Sequence, residues 1–142
     1  MKKFIALTLV IFTILLSGCG ACDKMKEGIK KADEHFNNFC SYLTYEEYDL
    51  AKEYLHKDTI IDVGRLKTVI NDIENVYGID FADGVVLERR TSFSVTLYDS
   101  KYNGSVYDLT YKAKVGTKSV TINYVIIDND AGYGIYSFNV ED

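Results

Sequence analysis

The chain has 142 residues, a formal net charge of −5 from 16 Lys and Arg against 21 Asp and Glu, and neither proline nor tryptophan. This length suits a single domain with a substantial core. The acidic balance argues against nucleic acid as a partner, because phosphate groups attract basic surfaces.

The amino-terminal segment has the pattern of an export signal. Lys2 and Lys3 precede a run of about thirteen mostly apolar residues that ends at Leu16. As a helix this run spans about 20 Å, which is shorter than the ~30 Å hydrocarbon core of a bilayer. A basic start, a short apolar core and small residues behind it are typical of a signal peptide.

The stretch "LSGC", residues 16–19, resembles the lipobox of exported bacterial lipoproteins. The resemblance implies cleavage after Gly18 and a thioether-linked diacylglycerol on Cys19, with fatty acyl chains such as palmitate. We expect residues 1–18 to be a signal peptide that is removed, and residues 19–142 to be one lipid-anchored domain. This places the protein on a cell membrane or outer membrane, outside the cytoplasm. An uncleaved apolar anchor with an accidental cysteine is the alternative.

Removal of the signal would lower the net charge to −7, since it contains Lys2 and Lys3. Cys19 and Cys22 have the spacing of a redox dithiol, but a lipid on Cys19 leaves no such pair. A helix between Cys22 and Cys40 would separate their ends by roughly 27 Å, far beyond disulfide reach. We therefore expect no disulfide, and we expect Cys40 to be a buried apolar residue.

Apolar residues at intervals of three and four predict three amphipathic helices. Asp23 is the expected cap of the first helix. Thr44 and Glu47 fit a capping box for the second, which we expect to end near His56. The apolar stripe of the first helix is Met25, Ile29, Ala32, Phe36, Phe39, Cys40 and Leu43, and that of the second is Leu50, Ala51, Tyr54 and Leu55.

The third helix is predicted from about Val63 to Tyr77, with Gly78 as a left-handed cap. After Gly84 the apolar period changes to two, which predicts four strands joined by short turns, one of them at Asn103. The expected inward rows are Val85, Leu87, Phe93, Val95 and Leu97; Tyr107, Leu109, Tyr111, Ala113 and Val115; Val120, Ile122, Tyr124 and Ile126; and Tyr136, Phe138 and Val140.

These elements predict an α+β fold in which three amino-terminal helices pack on a curved four-stranded antiparallel meander. The order of elements, together with "YLTYEEYDLAKEYLH" and "DNDAGYGIYSFNV", resembles the nuclear-transport-factor-two-like, or ketosteroid-isomerase-like, superfamily. The resemblance implies a cone-shaped roll, and it covers essentially all of residues 19–142. A tyrosine stands where many members carry tryptophan. A cystatin-like helix on a sheet is the alternative.

Enzymes of that superfamily carry an aspartate, histidine or tyrosine inside the cone to move protons. No expected inward strand position is Asp, Glu or His, so we expect no catalytic residue, no cofactor and no metal site. His35 and His56 are expected in solvated or helix-capping positions. "DNDAGYG" lacks the ligand spacing of a calcium loop and reads as a hairpin turn.

Two surfaces are candidates for binding. Arg89 shares the parity of the first strand's inward row, so Arg89, Tyr111 and Tyr124 form a candidate ligand pocket in which Arg89 would hold an anion. The alternatives are a solvated Arg89 and core tyrosines. Val125 and Ile127 make the third strand apolar on its outer face, which a partner chain, a second copy or a bent sheet would cover.

Three functions are compatible with these features. The first is a non-enzymatic, lipid-anchored module that binds an envelope protein, a small ligand or a second copy of itself. The second is a lipoprotein that neutralises a toxin, for which an acidic surface would suit a basic partner. The third is an enzyme working in the superfamily's cavity. The absence of a catalytic constellation favours the first.

Overall fold

A computed structural model gives three α-helices followed by a four-stranded antiparallel sheet, so the predicted α+β class is confirmed. It describes the backbone of residues 2–142 and the side chains of residues 20–142. The helices are α1 (Lys2–Thr44), α2 (Tyr48–Lys52) and α3 (Val63–Tyr77), followed by a 3₁₀ turn (Phe81–Asp83) and the strands β1 (Val85–Asp99), β2 (Gly104–Val115), β3 (Lys118–Asn129) and β4 (Gly132–Glu141).

The chain divides into two compact units, Met1–Lys31 and Ala32–Asp142. The first unit contains the amino-terminal part of α1. The second contains the last turns of α1 and every other element. The expected cap at Asp23 is wrong, because α1 begins at Lys2 and Asp23 lies within it.

In the second unit, the predicted stripe of α1 is buried. The side chains on it that lose nearly all solvent exposure are Ala32, Phe36, Phe39, Cys40 and Leu43. The aromatic members contact the sheet: the Phe36 ring stacks on Tyr124 at 4.1 Å between centroids, and Phe39 meets Phe138 edge-on at 5.4 Å. The period of the stripe thus identified the face of α1 that packs on the sheet.

The predicted capping box and the length of the second helix are wrong. Thr44 is the last residue of α1, and its hydroxyl donates to the carbonyl of Cys40 at 3.0 Å. Glu47 precedes α2 without a side-chain capping bond, and α2 is only five residues long. Leu50, expected inside, is 48% exposed, whereas Ala51 is buried.

The third helix agrees with its prediction at both ends. The carboxylate of Asp62 accepts from the backbone N–H of Arg65 at 2.7 Å, which satisfies one of the free amides of the first turn. Gly78 takes the left-handed conformation at φ 60°, and Leu66 and Ile70 are the buried residues of the helix.

The sheet is a meander with strand order β1-β2-β3-β4. In β2 and β3 the predicted inward rows are confirmed, since all nine of their residues are buried. The register pairs Tyr111 with Ile122 and Leu109 with Tyr124, which places both tyrosines on the face that α1 covers.

The edge strand β1 departs from simple alternation. Its register shifts between Leu87 and Arg89, between Arg90 and Ser92 and between Thr96 and Asp99, so that one extra residue is inserted at each point. Each bulge reverses the side of the sheet on which the following residues lie. Much of the strand is exposed, including Phe93 at 49% and Leu97 at 54%, although both belong to the predicted inward row.

The other edge of the sheet is partly closed by the segment after α2. Leu55 forms a parallel bridge with Ile135 of β4. The N–H of His56 donates to the carbonyl of Ile135 at 2.8 Å, and the N–H of Ile135 donates to the carbonyl of Tyr54 at 2.9 Å. A Cβ on Gly134 would stand 2.6 Å from the backbone nitrogen of His56, so this close approach requires glycine.

Candidate functional site

A carboxylate and two tyrosine hydroxyls meet on the inner face of the sheet. The Tyr111 hydroxyl lies 2.6 Å from each carboxylate oxygen of Asp33, and Tyr124 donates to the same carboxylate. Both tyrosines are buried, Tyr124 completely, whereas Asp33 is half-buried. The two tyrosine rings lie nearly parallel at 6.0 Å between centroids.

The helix and the sheet position this cluster together. Asp33 follows the buried Ala32 and precedes Phe36 by three residues, so it lies beside the packed stripe of α1. Because Phe36 stacks on Tyr124, the helix is fixed above β3 at the depth where the carboxylate reaches both hydroxyls. The stacking of Phe36 on Tyr124 therefore forms part of the core and also fixes the position of the polar cluster.

Arg90, and not Arg89, lies on this face. The bulge after Leu87 pairs Arg89 with Lys112 on the opposite face and pairs Arg90 with Tyr111. The Arg90 Nη1 atom is 3.5 Å from the Tyr111 hydroxyl, and its guanidinium lies 5.2 Å from the centre of the Phe93 ring. The predicted inward position of Arg89 is wrong, since Arg89 is exposed on the other side.

The cluster thus differs in composition from the predicted pocket. Tyr111 and Tyr124 come together as expected, Arg90 replaces Arg89, and Asp33 was missed because only strand positions were searched for acids. Its position was readable from the sequence, as it lies four residues after Ile29 and three before Phe36. A carboxylate in this position disfavours the anionic ligand that Arg89 was expected to hold.

The surroundings keep both hydroxyls protonated. Burial, followed by the hydrogen bond and the negative charge of Asp33, raises the pKa of Tyr111 to about 12, although Arg90 acts in the opposite direction. Burial and then the Asp33 carboxylate also raise the pKa of Tyr124 above its ordinary value. At neutral pH the two phenols are therefore hydrogen-bond donors, and the carboxylate is their shared acceptor.

We expect the free energy of unfolding to fall as pH rises from 10 towards 12. In this window the unfolded chain releases the Tyr111 proton while the folded chain retains it, so the folded state binds more protons and loses stability as pH increases. Urea unfolding at several alkaline pH values measures the slope. Tyr111→Phe should reduce the slope and leave the part due to Tyr124, whereas Tyr45→Phe, at a position 72% exposed, should leave it unchanged. An equal slope for wild type and Tyr111→Phe would contradict the assignment.

His56 is a buried structural residue, so its expected position at a helix end is wrong. The helix α2 ends at Lys52, and His56 is 1% exposed. Its Nδ1 accepts from the N–H of Asp58 at 3.1 Å, which leaves the proton on Nε2. Nε2 donates towards the Asn129 side-chain oxygen at 3.1 Å and the Gly132 carbonyl at 3.2 Å. Nε2 therefore ties the segment after α2 to the β3–β4 turn, and Nδ1 holds a turn within that segment.

His35 is also part of the packing and not a solvated residue, contrary to the expectation. It is half-buried, and its Nε2 donates to the carbonyl of Tyr54 at 2.9 Å. Its ring lies 4.8 Å from the ring of Tyr54 and 4.9 Å from that of Tyr133. His35 thus connects α1 with the segment that closes the sheet edge.

A separate apolar groove lies between α3 and β4, with a volume of about 170 Å³. Leu66 and Val69 line it from the helix, and residues 135–138 line it from the strand. The remaining lining residues are Leu55, Thr59 and Ile61. No local pattern in the sequence indicates this groove, because it depends on how α3 packs beside the sheet edge.

The predicted outer-face contact residues differ in exposure. Ile127 has no exposed surface within the chain itself, so it is not available to a partner, which corrects the expectation for that residue. Val125 is half-buried opposite Ser137, and its contact role stays a prediction. Near this end of the sheet, Tyr102 meets Tyr136 edge-on at 5.2 Å, and Asn129 donates to the carbonyl of Tyr102 at 2.8 Å.

Cys19, the predicted lipid attachment site, lies outside the residues whose side chains the structure describes. Among residues 20–142, no three His, Cys, Asp or Glu side chains are grouped so that they could hold a metal ion. Within that part of the chain, no helix is both long enough and apolar enough to cross a bilayer. Cys22 is exposed and Cys40 is buried, and neither of these two cysteines forms a disulfide.

No protein-family model, no curated protein and no solved structure matches this chain. The functional inference therefore depends on the residues and contacts of the chain itself.

Proposed function

We propose that this chain is an exported lipoprotein, anchored to a membrane through lipid on Cys19 and facing outside the cytoplasm. Its α+β domain is a non-enzymatic binding module of the cell envelope, and its partner is an envelope protein or a second copy. The order of three helices and a four-stranded meander supports membership of the nuclear-transport-factor-two-like superfamily.

The observation that carries the anchor is the sequence "LSGC", residues 16–19, behind a short apolar run with Lys2 and Lys3 at its start. Small residues before Cys19 give a peptidase access to the bond, and the thiol is the group that takes the lipid. A single acyl chain gives only marginal membrane binding, whereas two or more chains on one residue anchor a protein stably.

The state of the ionisable groups supports binding over catalysis. Both oxygens of Asp33 lie within hydrogen-bond distance of the Tyr111 hydroxyl, and Tyr124 donates to the same carboxylate. Both ring nitrogens of His56 are engaged with backbone or side-chain groups. A substrate would therefore have to displace existing bonds before either side chain could exchange a proton with it.

Cys19→Ser should abolish lipidation. Cells expressing the full chain are labelled with a radioactive or clickable palmitate analogue and then fractionated, and the mature amino terminus is read by mass spectrometry. Wild type should be labelled, sediment with membranes and begin at Cys19. Cys22→Ser is the matched control, since Cys22 is exposed three residues further on, and it should behave as wild type.

Membrane retention of an unlabelled wild-type chain with an intact amino terminus would instead support an uncleaved apolar anchor. Labelling of Cys19→Ser but not of Cys22→Ser would show that the lipid is attached to Cys22. Either result would overturn the proposed attachment site.

The acidic cluster on the inner face favours a second candidate, an enzyme that uses Asp33 as an acid or base. A substrate that displaced the carboxylate would face two phenol donors, which are groups that stabilise developing negative charge in proton-transfer enzymes. A catalytic role predicts that Asp33→Asn keeps the fold but loses turnover of any substrate found. Loss of envelope binding with retained fold would support the first function instead.

Toxin neutralisation is a narrower form of the binding role. Growth protection by wild type but not by Cys19→Ser, together with capture of a basic toxin on the purified chain, would favour it. Protection that does not depend on direct capture would count against it.

A further inference from the structure

Strand β1 is the exposed edge of the sheet. Among residues 2–142, β2 is the one strand that pairs with it, whereas the segment after α2 partly closes the β4 edge. Eleven of the fifteen residues of β1 are exposed, compared with three of ten in β4. Phe93, Leu97 and Tyr98 are among them, with exposed fractions of 49%, 54% and 66%. An edge strand presents unpaired N–H and C=O groups to a further strand, so β1 is a candidate interface.

Only the middle of β1 is regular enough to pair again. Register shifts flank residues 92–96, between Arg90 and Ser92 and between Thr96 and Asp99, with one extra residue in each flank. Residues 92–96 themselves pair with residues 106–110 of β2 without interruption. This segment, "SFSVT", contains no charged residue and no proline. Because bulges interrupt a ladder, a continuous ladder with another strand is confined to these five residues.

Residues 92–96 are complementary to a second copy of themselves in the antiparallel orientation. With Ser94 on a two-fold axis, Phe93 lies opposite Val95 of the second copy. In β2 the partners of these two residues are Leu109 and Tyr107, which are buried on the inner face. An aromatic and a β-branched residue opposite each other form a favourable cross-strand pair, and the symmetry makes two such pairs.

The outer face of the same segment carries small hydroxyl residues. Ser92, Ser94 and Thr96 alternate with the inner residues along the strand. In the register centred on Ser94, Ser92 lies opposite Thr96 of the second copy, and Ser94 lies opposite its own copy. Neither face therefore brings like charges or bulky side chains into opposition.

The charged residues beyond this segment complement each other in the same register. Arg89 lies five residues before Ser94 and Asp99 five residues after it, and each flank contains one extra residue. The two-fold axis therefore places Arg89 opposite Asp99 of the second copy. Arg89 pairs with Lys112 of β2 and Asp99 pairs with Gly104, which are an even number of residues apart, so both charges lie on the outer face.

The neighbouring charges do not remove this complementarity. Glu88 is already paired with Lys114, at 3.0 Å between nitrogen and oxygen. Arg89 has Lys112 as its ladder neighbour, and an acidic partner offsets that like charge. The ammonium group of Lys101 lies 4.7 Å from the centre of the adjacent tyrosine ring. The edge thus has opposite charges at its two ends, which favours an antiparallel copy of the same strand.

We propose that two copies of this chain pair through their β1 strands, antiparallel to each other and with Ser94 on the two-fold axis. The two four-stranded sheets then form one continuous sheet. This inference rests on the proposed binding role and identifies its partner as a second copy. Its test uses the full chain purified in detergent, so failure here leaves the Cys19 experiment unaffected.

Single cysteines test the register. Directly opposite Cα atoms of antiparallel strands are about 4.5–5.5 Å apart, which is within disulfide range. The background is Cys22→Ser, because Cys22 is an exposed thiol. Under mild oxidation Ser94→Cys should give a disulfide-linked dimer. Ser92→Cys is the matched control and should not, because its two copies would lie about 13 Å apart along the strands.

A mixture of two variants gives a second test of the same register. Thr96→Cys should not crosslink alone, for the same reason as Ser92→Cys. An equimolar mixture of Ser92→Cys and Thr96→Cys chains should crosslink, because these positions lie opposite each other. Circular dichroism reports whether each variant folds. If Ser94→Cys does not fold, the mixture decides the question.

The charge pairs are tested without cysteines, by sedimentation equilibrium in density-matched detergent. Wild type should be dimeric, and Arg89→Glu should weaken the dimer by about tenfold, because it replaces two attractive pairs with two repulsive ones. Arg65→Glu makes the same charge change at an exposed position on α3 and should dimerise as wild type does.

Three results would each overturn the proposal. The first is a wild-type chain that stays monomeric at roughly 100 μM. The second is a Ser94→Cys variant that gives no more crosslinked dimer than Ser92→Cys. The third is an Arg89→Glu variant that dimerises as tightly as wild type does.

Discussion

Gly134→Val is expected to lower the free energy of unfolding by about 3 kcal/mol or more. A Cβ at this position would lie 2.6 Å from the nitrogen and 2.7 Å from the Cα of His56, and 2.7 Å from the carbonyl carbon of Leu55. These are backbone atoms and have no rotamer by which to move away. The valine therefore pushes the Leu55–Ile135 bridge apart, and with it the hydrogen bonds of buried His56.

Chemical denaturation followed by circular dichroism measures this loss. Gly64→Ala is the matched control, because its new Cβ would meet only the Asp62 side chain at 3.4 Å, an ordinary contact, inside a helix that favours alanine. The control should retain or slightly gain stability. If Gly134→Val unfolds within about 0.5 kcal/mol of wild type, the close approach of the two backbones is wrong.

Asp33→Ala is expected to cost about 2–4 kcal/mol, since it leaves two buried phenol groups without their shared acceptor. Tyr124 is completely buried and Tyr111 nearly so. Asp33→Asn keeps one acceptor oxygen and should cost less. Asp72→Ala, on the exposed face of α3, is the control and should change stability by no more than about 0.5 kcal/mol.

A combined variant separates this explanation from a simple loss of helix packing. Asp33→Ala together with Tyr111→Phe and Tyr124→Phe removes donors and acceptor at once, so it should recover much of the stability lost by Asp33→Ala alone. If the triple variant loses as much free energy of unfolding as the three single variants do in sum, the carboxylate does not bind the two hydroxyls. Urea midpoints and slopes for wild type, the three single variants and the triple variant make the comparison.

The parts of the fold that local signals determine were predictable from the sequence. For α3, the carboxylate of Asp62 and the left-handed Gly78 bound an apolar stripe, and the boundaries agree with the structure. The rows of β2 and β3 alternate without interruption, and all their inward residues are buried. Where the apolar residues keep one spacing over a whole helix or strand, that spacing predicts which side chains are buried.

The errors arise where distant residues decide the outcome. Two bulges in β1 cancel each other, so Leu87 and Phe93 keep the same side while Arg89 and Arg90 between them exchange sides. Alternation alone cannot reveal such a pair of insertions, since the apolar residues on both sides still agree. One of the three predicted pocket residues was therefore replaced by its neighbour.

The candidate site was only partly predictable for a related reason. The two tyrosines were found because they lie in regular strands, whereas Asp33 comes from a helix and His56 from an irregular segment. The interior position of His56 depends on a contact with Asn129, 73 residues away along the chain. The groove beside β4 likewise exists only after α3 has packed against the last strand.

The bridge between Leu55 and Ile135 has a consequence for how the molecule reaches its native state. It joins segments about 80 residues apart, and the bond between Tyr124 and Asp33 spans 91. Contacts between residues so far apart in the sequence form late, and they slow folding. A nascent chain that still lacks β4 cannot complete the core, so we expect folding to finish only after β4 has been synthesised, and loss of that strand to leave no stable remainder.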